Sequence, residues 1–579
     1  MKKKMLTVVS VIMCLAMLLT PVTVSADAGA QSSDASFKAG FASVVSDTLN
    51  AIIDFLLDGI STILPATVKI EDPSAHKSDN FLAGNDSFID APAEGAKWSI
   101  GYASASILPD DFAEGKYYKG GYDINLQLSE CIDDLKVRLI AMDDGSGRGI
   151  SILAAVDCLG LANDDVRDIR AAVLAALPGV KITSINVSAT HVHSGIDTQG
   201  IYTDTFGHVF QNLFSAFFQL DWLCDPVDTK LLKTIADQTA VCAKKAVEDM
   251  KTGTLTYAKT DIDDYVRDRT NPDIMIDYMY RLMFTPDDGS KGTILANFGC
   301  HPETIGYGTQ LITSDFVYYT EEVINEAGYN FIYIQGAVGT YTEDQHYSND
   351  GLDMDRVDCT IRYGQEIGYM LLSIGMTEEE IKASGIIDEE REALAKDSEG
   401  YTPWYEGGIE GETKVVEPIL NVKLTEYLVP VENGVYRAFG KLSLANNVMY
   451  EDAEGNIVAS TEVGYMELGK DLKIVLCPGE TYAELIVGGP TMEGFKYKSA
   501  YEMIADENDE ILVFDLVNDA LGYIMADDDF VYLRLNYDAE DDELSFGDSW
   551  GLTSIGGHAA SDIYGKFYEL YDSVRDFNK

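Results

Sequence analysis

The sequence predicts an α/β or α+β fold, a large mixed sheet with surrounding helices. Short runs rich in β-branched residues, bounded by Gly, Asp and Pro, recur along the chain, and segments of helical periodicity lie between them. A hydrophobic fraction of 46% over 579 residues is enough for a large buried core and excludes disorder throughout. Length alone suggests two or three domains, but the motifs below favour one dominant domain over residues 96–579.

Residues 1–26 read as a removed export signal. Lys2, Lys3 and Lys4 precede an apolar run from Met5 to Leu19, and Val24-Ser25-Ala26 supplies small residues for cleavage. The expected product is a secreted protein. Residues 27–95 form an N-terminal helix and linker. Phe41 to Ile63 presents a wide apolar helical face that Pro65 ends, and its acids Asp47, Asp54 and Asp58, without a basic residue, favour packing on the main body. At most peripheral membrane contact is expected. Glu71 to Glu94 reads as a linker or exposed loop.

Lys136–Met142 and Ile150–Val156 are strands joined by a turn at Asp144-Gly145-Ser146-Gly147. Asp164–Ala176 is a helix that Pro178-Gly179 stops, and Ile182–Ser188 is the next strand. Phe206–Leu223, rich in aromatic residues, reads as a buried helix or lid, with burial favoured over an exposed lipid site. Leu231–Met250 is an amphipathic helix. Tyr280–Phe284 and Thr293–Phe298 form a hairpin around Asp287-Asp288-Gly289, and Asn330–Gln335 is a further strand. Helices follow at Asp315–Ala327 and Asp355–Leu371. Glu380–Gly400 is a solvated helix and loop, with calcium a secondary possibility that no specific motif supports. Leu420–Leu428 and Leu472–Leu476 are strands, Glu451–Asn456 is a hairpin turn, and Asp527–Asp529 is a solvated turn.

The formal charge of −54 becomes −57 once Lys2, Lys3 and Lys4 leave with the signal. Such a field repels phosphate backbones, so nucleic acid is excluded as a partner. Seven cysteines remain, without zinc-finger spacing, and export leads us to expect one or two disulfides beside free thiols. Nothing in the sequence sets an oligomeric state.

Ala189-Thr190-His191-Val192-His193-Ser194-Gly195 carries two of only seven histidines at a strand exit. In an extended strand both imidazoles would face one side, a pattern compatible with metal binding and with ordinary hydrogen bonding alike. His301, in Gly299-Cys300-His301-Pro302, sits at a second strand exit, and Gln335-Gly336-Ala337-Val338-Gly339 leaves a third.

Together with Val156-Asp157-Cys158-Leu159-Gly160, these ordered motifs resemble the neutral ceramidase family. Cys477-Pro478-Gly479-Glu480 and Asn518-Asp519-Ala520-Leu521-Gly522-Tyr523 resemble its two later ligand motifs, so that the resemblance runs from about Gly101 to the end of the chain. It implies a hydrolase that cleaves the amide of ceramide or another N-acyl lipid, with one catalytic Zn2+ held by His191, His301, Glu480 and Tyr523. It also implies His193 as a catalytic neighbour of the metal, Tyr537 as a hydrogen-bond donor to the developing oxyanion, and Arg269, or equally Arg267, as a substrate-binding arginine. Glu303 is expected to support its loop. Zinc in such a set polarises an acyl carbonyl and lowers the pKa of a water to about 7.

The chain departs from the family pattern at Ile196-Asp197, where relatives resemble Pro followed by glycine. Thr342 stands where a serine is expected, and 56 residues follow Tyr523, which implies that the C-terminal immunoglobulin-like domain of larger ceramidases is absent. A zinc amidase acting on a non-sphingolipid N-acyl substrate and a non-catalytic secreted lipid- or glycan-binding protein remain the alternatives.

Overall fold

The computed structural model describes residues 35–64, 80–112, 115–220, 222–270, 274–344, 355–387, 403–492, 495–506, 509–538, 543–547 and 550–575. The expected leader at 1–26 and most of the polar stretch 380–400 lie outside them. Among the described residues no helix is long and apolar enough to cross a membrane.

The larger sheet contains β1 (Trp98–Ser106), β2 (Lys136–Asp143), β3 (Ile150–Val156), β4 (Ile182–Ala189), β5 (Lys251–Asp261), β6 (Tyr278–Pro286), β7 (Gly292–Phe298), β8 (Tyr329–Gln335) and β9 (Lys414–Val416). Their order is β8-β7-β6-β5-β1-β2-β3-β4, with β9 beside β5. β2 and β3 form the expected hairpin, its turn set by positive φ at Gly145 and Gly147 and by Asp144 accepting from Ser146 N at 2.9 Å. The outer pairs β3–β4 and β7–β8 are parallel, which makes the sheet mixed. Helix α2 (Asn163–Ala176) connects the first pair, and Asp165 caps it by accepting from Ala162 N at 3.0 Å.

A second sheet is built from β10 (Leu420–Pro430), β11 (Met449–Glu451), β12 (Ile457–Leu468), β13 (Leu472–Leu476) and β14 (Glu510–Phe514), in the order β10-β12-β13-β14 with β11 on β12. Strand periodicity separates the cores. Val137, Leu139 and Ala141 of β2 face α2 and α4 (Thr229–Asp249), whereas Ile140 and Met142 join Val422, Met466 and Ile474 between the sheets. Helices α5 (Phe316–Glu326) and α6 (Arg356–Ser373) cover β6 to β8, and the last helix, α8 (Ala559–Arg575), covers the far face of the second sheet. The layers are therefore helix, sheet, sheet, helix.

Buried ions tie the layers together. Arg170 of α2 makes a two-pronged pair with Glu462 of β12, at 2.6 and 2.8 Å, and donates to Ile185 O of β4 at 3.0 Å. Arg138 lies buried between Asp157 and Glu321.

Three expectations are corrected. The described part of Glu71–Glu94 is a strap on the second sheet, not a free linker: Phe88 and Asn85 are buried, Gly84 bridges Lys423, and Asn85 N donates to Val422 O at 2.8 Å. The seven cysteines among the described residues are free thiols, and Cys158, Cys242, Cys300, Cys359 and Cys477 serve as small buried side chains on separate elements. Within Phe206–Leu223 the structure has helix α3 (Thr205–Phe218), but Phe206, Phe210, Phe214 and Phe218 are exposed. Helix α1 (Ala35–Ile63) packs as expected, burying Ile53, Leu57 and Ile60 against Tyr532 and α7 (Gly434–Lys441) with its neighbours.

Candidate metal centre

His191 lies just past the end of β4, which stops at Ala189. It has φ +66°, a conformation rarely taken by a residue with a bulky side chain, and His191 N is held by Cys158 O at 3.0 Å. The two histidines therefore face one another through a turn, not through extended-strand alternation. His193 N donates to Pro302 O at 3.0 Å, which ties this loop to the one that carries His301 after β7. Asp157 anchors the base of the His191 loop, accepting from Arg138, Ser314 and Thr190.

Glu480 and Tyr523 come from the second sheet. β13 and β14 are parallel neighbours, and beyond them Glu480–Thr481 and Tyr523–Ile524 continue as a parallel ribbon in which Glu480 and Tyr523 are register partners. The approach requires glycine. A Cβ on Gly522, at φ +77°, would lie 1.7 Å from Thr553 O, and one on Gly479 would lie 2.5 Å from Gly522 O. Residues 515–518 join this ribbon to the larger sheet. Asp515 N donates to Gln335 O of β8, Ala189 N of β4 donates to Leu516 O, and Val187 and Asn518 exchange two bonds.

The donor atoms converge. The Nε2 atoms of His191 and His193 are 3.3 Å apart, Glu480 Oε2 lies 3.3 Å from His191 Nε2 and 3.5 Å from His301 Nε2, and the Tyr523 hydroxyl lies 3.5 Å from His301 Nε2. Ligands about 2.0–2.1 Å from one tetrahedral ion are roughly 3.3 Å from each other, so these separations fit a single small cation. The tautomers fit as well. His191 Nδ1 is bonded to Leu159 O at 2.7 Å and His301 Nδ1 to Tyr341 O at 2.6 Å, which leaves both Nε2 lone pairs facing the Glu480 carboxylate. Glu480 Oε2 is buried without a hydrogen-bond partner, as a metal-ligand oxygen would be.

Burial disfavours the Glu480 carboxylate, but His191 and His301 outweigh it and hold its pKa at about 2. Burial pushes His193 and His301 down, whereas at His191 the Glu480 carboxylate outweighs burial and pushes the imidazole up. Burial, then the Glu480 charge, pushes the Tyr523 phenol up.

Around the donors, Arg269 pairs with Glu303 at 3.1 Å, donates to Thr340 O at 3.0 Å and lies over the Trp550 ring at 4.7 Å. Arg267 instead donates to Glu343 O, so Arg269 is the arginine at the centre. Glu303 Oε2 is 3.6 Å from His193 Nδ1 and accepts from the Tyr122 hydroxyl. Burial opposes its charge, yet Arg269 and the neighbouring histidines hold its pKa at about 2. Thr342 is turned away, bonded to Glu343 at 2.5 Å, and its segment serves the centre through the Thr340 and Tyr341 carbonyls. Tyr537 lies in the hairpin Arg534–Asp538 with Glu543–Gly547, opposite Leu544; its side chain lies outside the described residues.

Sequence reasoning missed Tyr122 and Trp550. The Tyr122 ring packs edge-on against His193, with centroids 4.7 Å apart, and Trp550 packs on Tyr523 at 5.1 Å. The pair Gly120-Gly121 was the available signal: a Cβ on Gly121, at φ +110°, would lie 2.7 Å from His193 Cγ. Gly121→Ala is expected to displace the His193 imidazole by the order of an ångström, a shift that a crystal structure of the variant would show.

No family model and no curated protein sequence matches the chain. Solved structures do. The neutral ceramidase from Pseudomonas aeruginosa aligns with a TM-score of 0.53 over 83% of this chain and 75% of its own, at 15% identity. The chain has the fold of neutral ceramidases. A ceramidase complexed with C2 aligns with the same TM-score over 83% and 76%, at 13% identity. The resemblance read in the motifs thus extends to a neutral-ceramidase fold, with the donors at the seam between its two sheets.

Proposed function

We propose that the protein is an exported, zinc-dependent amidohydrolase that cleaves the amide of ceramide or a related N-acyl lipid, releasing a fatty acid and an amine or sphingoid base. The convergence of His191, His301, Glu480 and Tyr523 on one point, within a neutral-ceramidase fold, carries this reading. These four residues would hold the ion, with His193 adjoining it. Bound there, zinc would supply Lewis-acid activation of the carbonyl and a water of lowered pKa.

The chain's own groups complete the chemistry. Arg269, fixed by Glu303, Thr340 O and Trp550, offers a cation to the polar part of the substrate. With Nδ1 toward Glu303, His193 directs Nε2 at the cluster, where the neutral imidazole can take a proton from the attacking water and, as imidazolium, pass it to the departing amine. Tyr537 would be the oxyanion donor, as the family resemblance implies, and Tyr122 packs on the His193 ring.

His193→Asn is expected to keep one zinc per chain while amide turnover falls by about 10²- to 10⁴-fold. Parallel loss of zinc, read by elemental analysis, would make His193 a ligand instead.

A non-sphingolipid amide is the second reading, and it rests on the departure from the family pattern at Ile196-Asp197. Asp197, where relatives differ, is buried and organises the neighbouring loop by accepting from the backbone of Gln199, Gly200, Tyr202 and Thr203. Product analysis across ceramides, N-acyl amino acids and conjugated bile amides separates the two. Fatty acid and sphingoid base released together support ceramide, cleavage of another class alone supports the second reading, and no cleavage of any amide overturns both.

A further inference from the structure

Helix α3 is apolar on two sides. Its inner line, Val209, Leu213 and Ala216, packs on Ile60 and Leu64 and on Leu442 and Leu444. The outer line, Phe206, Phe210, Phe214 and Phe218, recurs every four residues and is 43% to 51% exposed; Trp222, four residues on, is 64% exposed. The rings of Phe214 and Phe218 are 4.4 Å apart. Single exposed apolar residues are ordinary, but a continuous aromatic line is a mark of an interaction surface. Helix α1, which shares the inner cluster, also exposes Ile52, Phe55 and Leu56.

Charge selects the partner. No Lys or Arg occurs from Ile201 to Thr229, where Asp204, Asp221, Asp225 and Asp228 lie, and the whole chain carries −54. A second copy would bring the same acids, and an anionic leaflet would be repelled. A zwitterionic lipid surface presents no net charge to oppose, accepts Phe at the acyl boundary and accommodates Trp among its headgroups.

The helix also starts beside the metal centre. Asn125 accepts from Thr205 N at 2.7 Å and Asn125 N donates to Tyr202 O at 2.8 Å, three residues beyond the Tyr122 that packs on His193. We infer that the outward face of α3 docks on a zwitterionic lipid surface and sets the centre against membrane-held substrate. This inference rests on the N-acyl lipid reading for its purpose, but its binding test is independent of that reading.

The test uses the full mature protein and phosphatidylcholine vesicles. The protein is expected to co-float with them equally in ~0.1 M and ~1 M NaCl, because apolar insertion is not screened, and added phosphatidylserine is expected to weaken binding. Trp222 emission should shift to the blue on binding, and this shift should vanish in Trp222→Phe. Phe210→Ser/Phe214→Ser should bind roughly tenfold or more weakly with an unchanged melting temperature. It should also cleave vesicle-embedded substrate more slowly while keeping kcat/KM on a water-soluble short-chain amide. If the double variant does not fold, Phe214→Ser alone and the Trp222 signal carry the test. Absence of co-flotation, vesicle binding equal in wild type and variant, or a wild-type dimer that the variant abolishes would overturn the inference. Vesicle binding that depends on the Phe line, without cleavage of any amide, would leave the docking surface standing and remove the hydrolase reading.

Discussion

His191→Ala and His301→Ala are each expected to empty the protein of zinc and to lower amide turnover by roughly 10³-fold or more, since the metal's share of transition-state charge stabilisation is several kcal/mol. The expectation follows from how the donors are held. Each imidazole has its Nδ1 fixed on a backbone carbonyl, so that its Nε2 is turned toward Glu480. Removing either imidazole leaves a set with too few donors and with the Glu480 carboxylate still buried. Elemental analysis gives the metal content and steady-state kinetics the turnover. A third measurement separates metal loss from misfolding. A ligand present at a thousandfold above its Kd stabilises by about 4 kcal/mol, so a chelator should lower the melting temperature of the native protein but not that of the variants. Native zinc content and native turnover in either variant would sink the proposed centre.

Arg170→Met is expected to destabilise the fold by about 3–5 kcal/mol, the usual cost of stranding one partner of a buried ion pair. Glu462 would then sit fully buried opposite a thioether, and Ile185 O would lose its donor. The cost falls between the two sheets, where α2, β4 and β12 meet. Arg170→Met/Glu462→Leu should recover most of the loss, because two apolar side chains of similar volume avoid the desolvation of both charges. Urea unfolding of the two variants reads the difference. A single variant within about 1 kcal/mol of the native protein would mean that water reaches Glu462.

Much of the fold was legible because its signals are local. The β2–β3 hairpin announced itself by alternating apolar residues around Asp144-Gly145-Ser146-Gly147, and α2, α4, α5 and α6 by their caps and periodicity. Sequence could not give the pairing of distant strands, which depends on what each buries against, nor the strap at Phe81–Ile89, whose polar composition hides the buried Phe88 and the half-buried Phe81. The outward Phe line of α3 misled for a related reason: composition reports how apolar a helix is, not what covers it. At the centre, His191 and His301 stood out as rare residues at strand exits. Glu480 and Tyr523 were found through the family motifs, and Tyr122 escaped because a tyrosine that steadies an imidazole has no sequence signature of its own.

The loop 515–518 has a consequence for solubility. β4 and β8 are the two ends of the larger sheet, and an uncovered sheet end offers free amides and carbonyls to any passing strand. Here the loop bonds Val187 and Ala189 on one end and Gln335 on the other, and then leads into Tyr523. The segment that delivers a donor to the centre therefore also blocks the sheet from templating its own aggregation, so selection against aggregation and selection for an intact centre act on the same few residues.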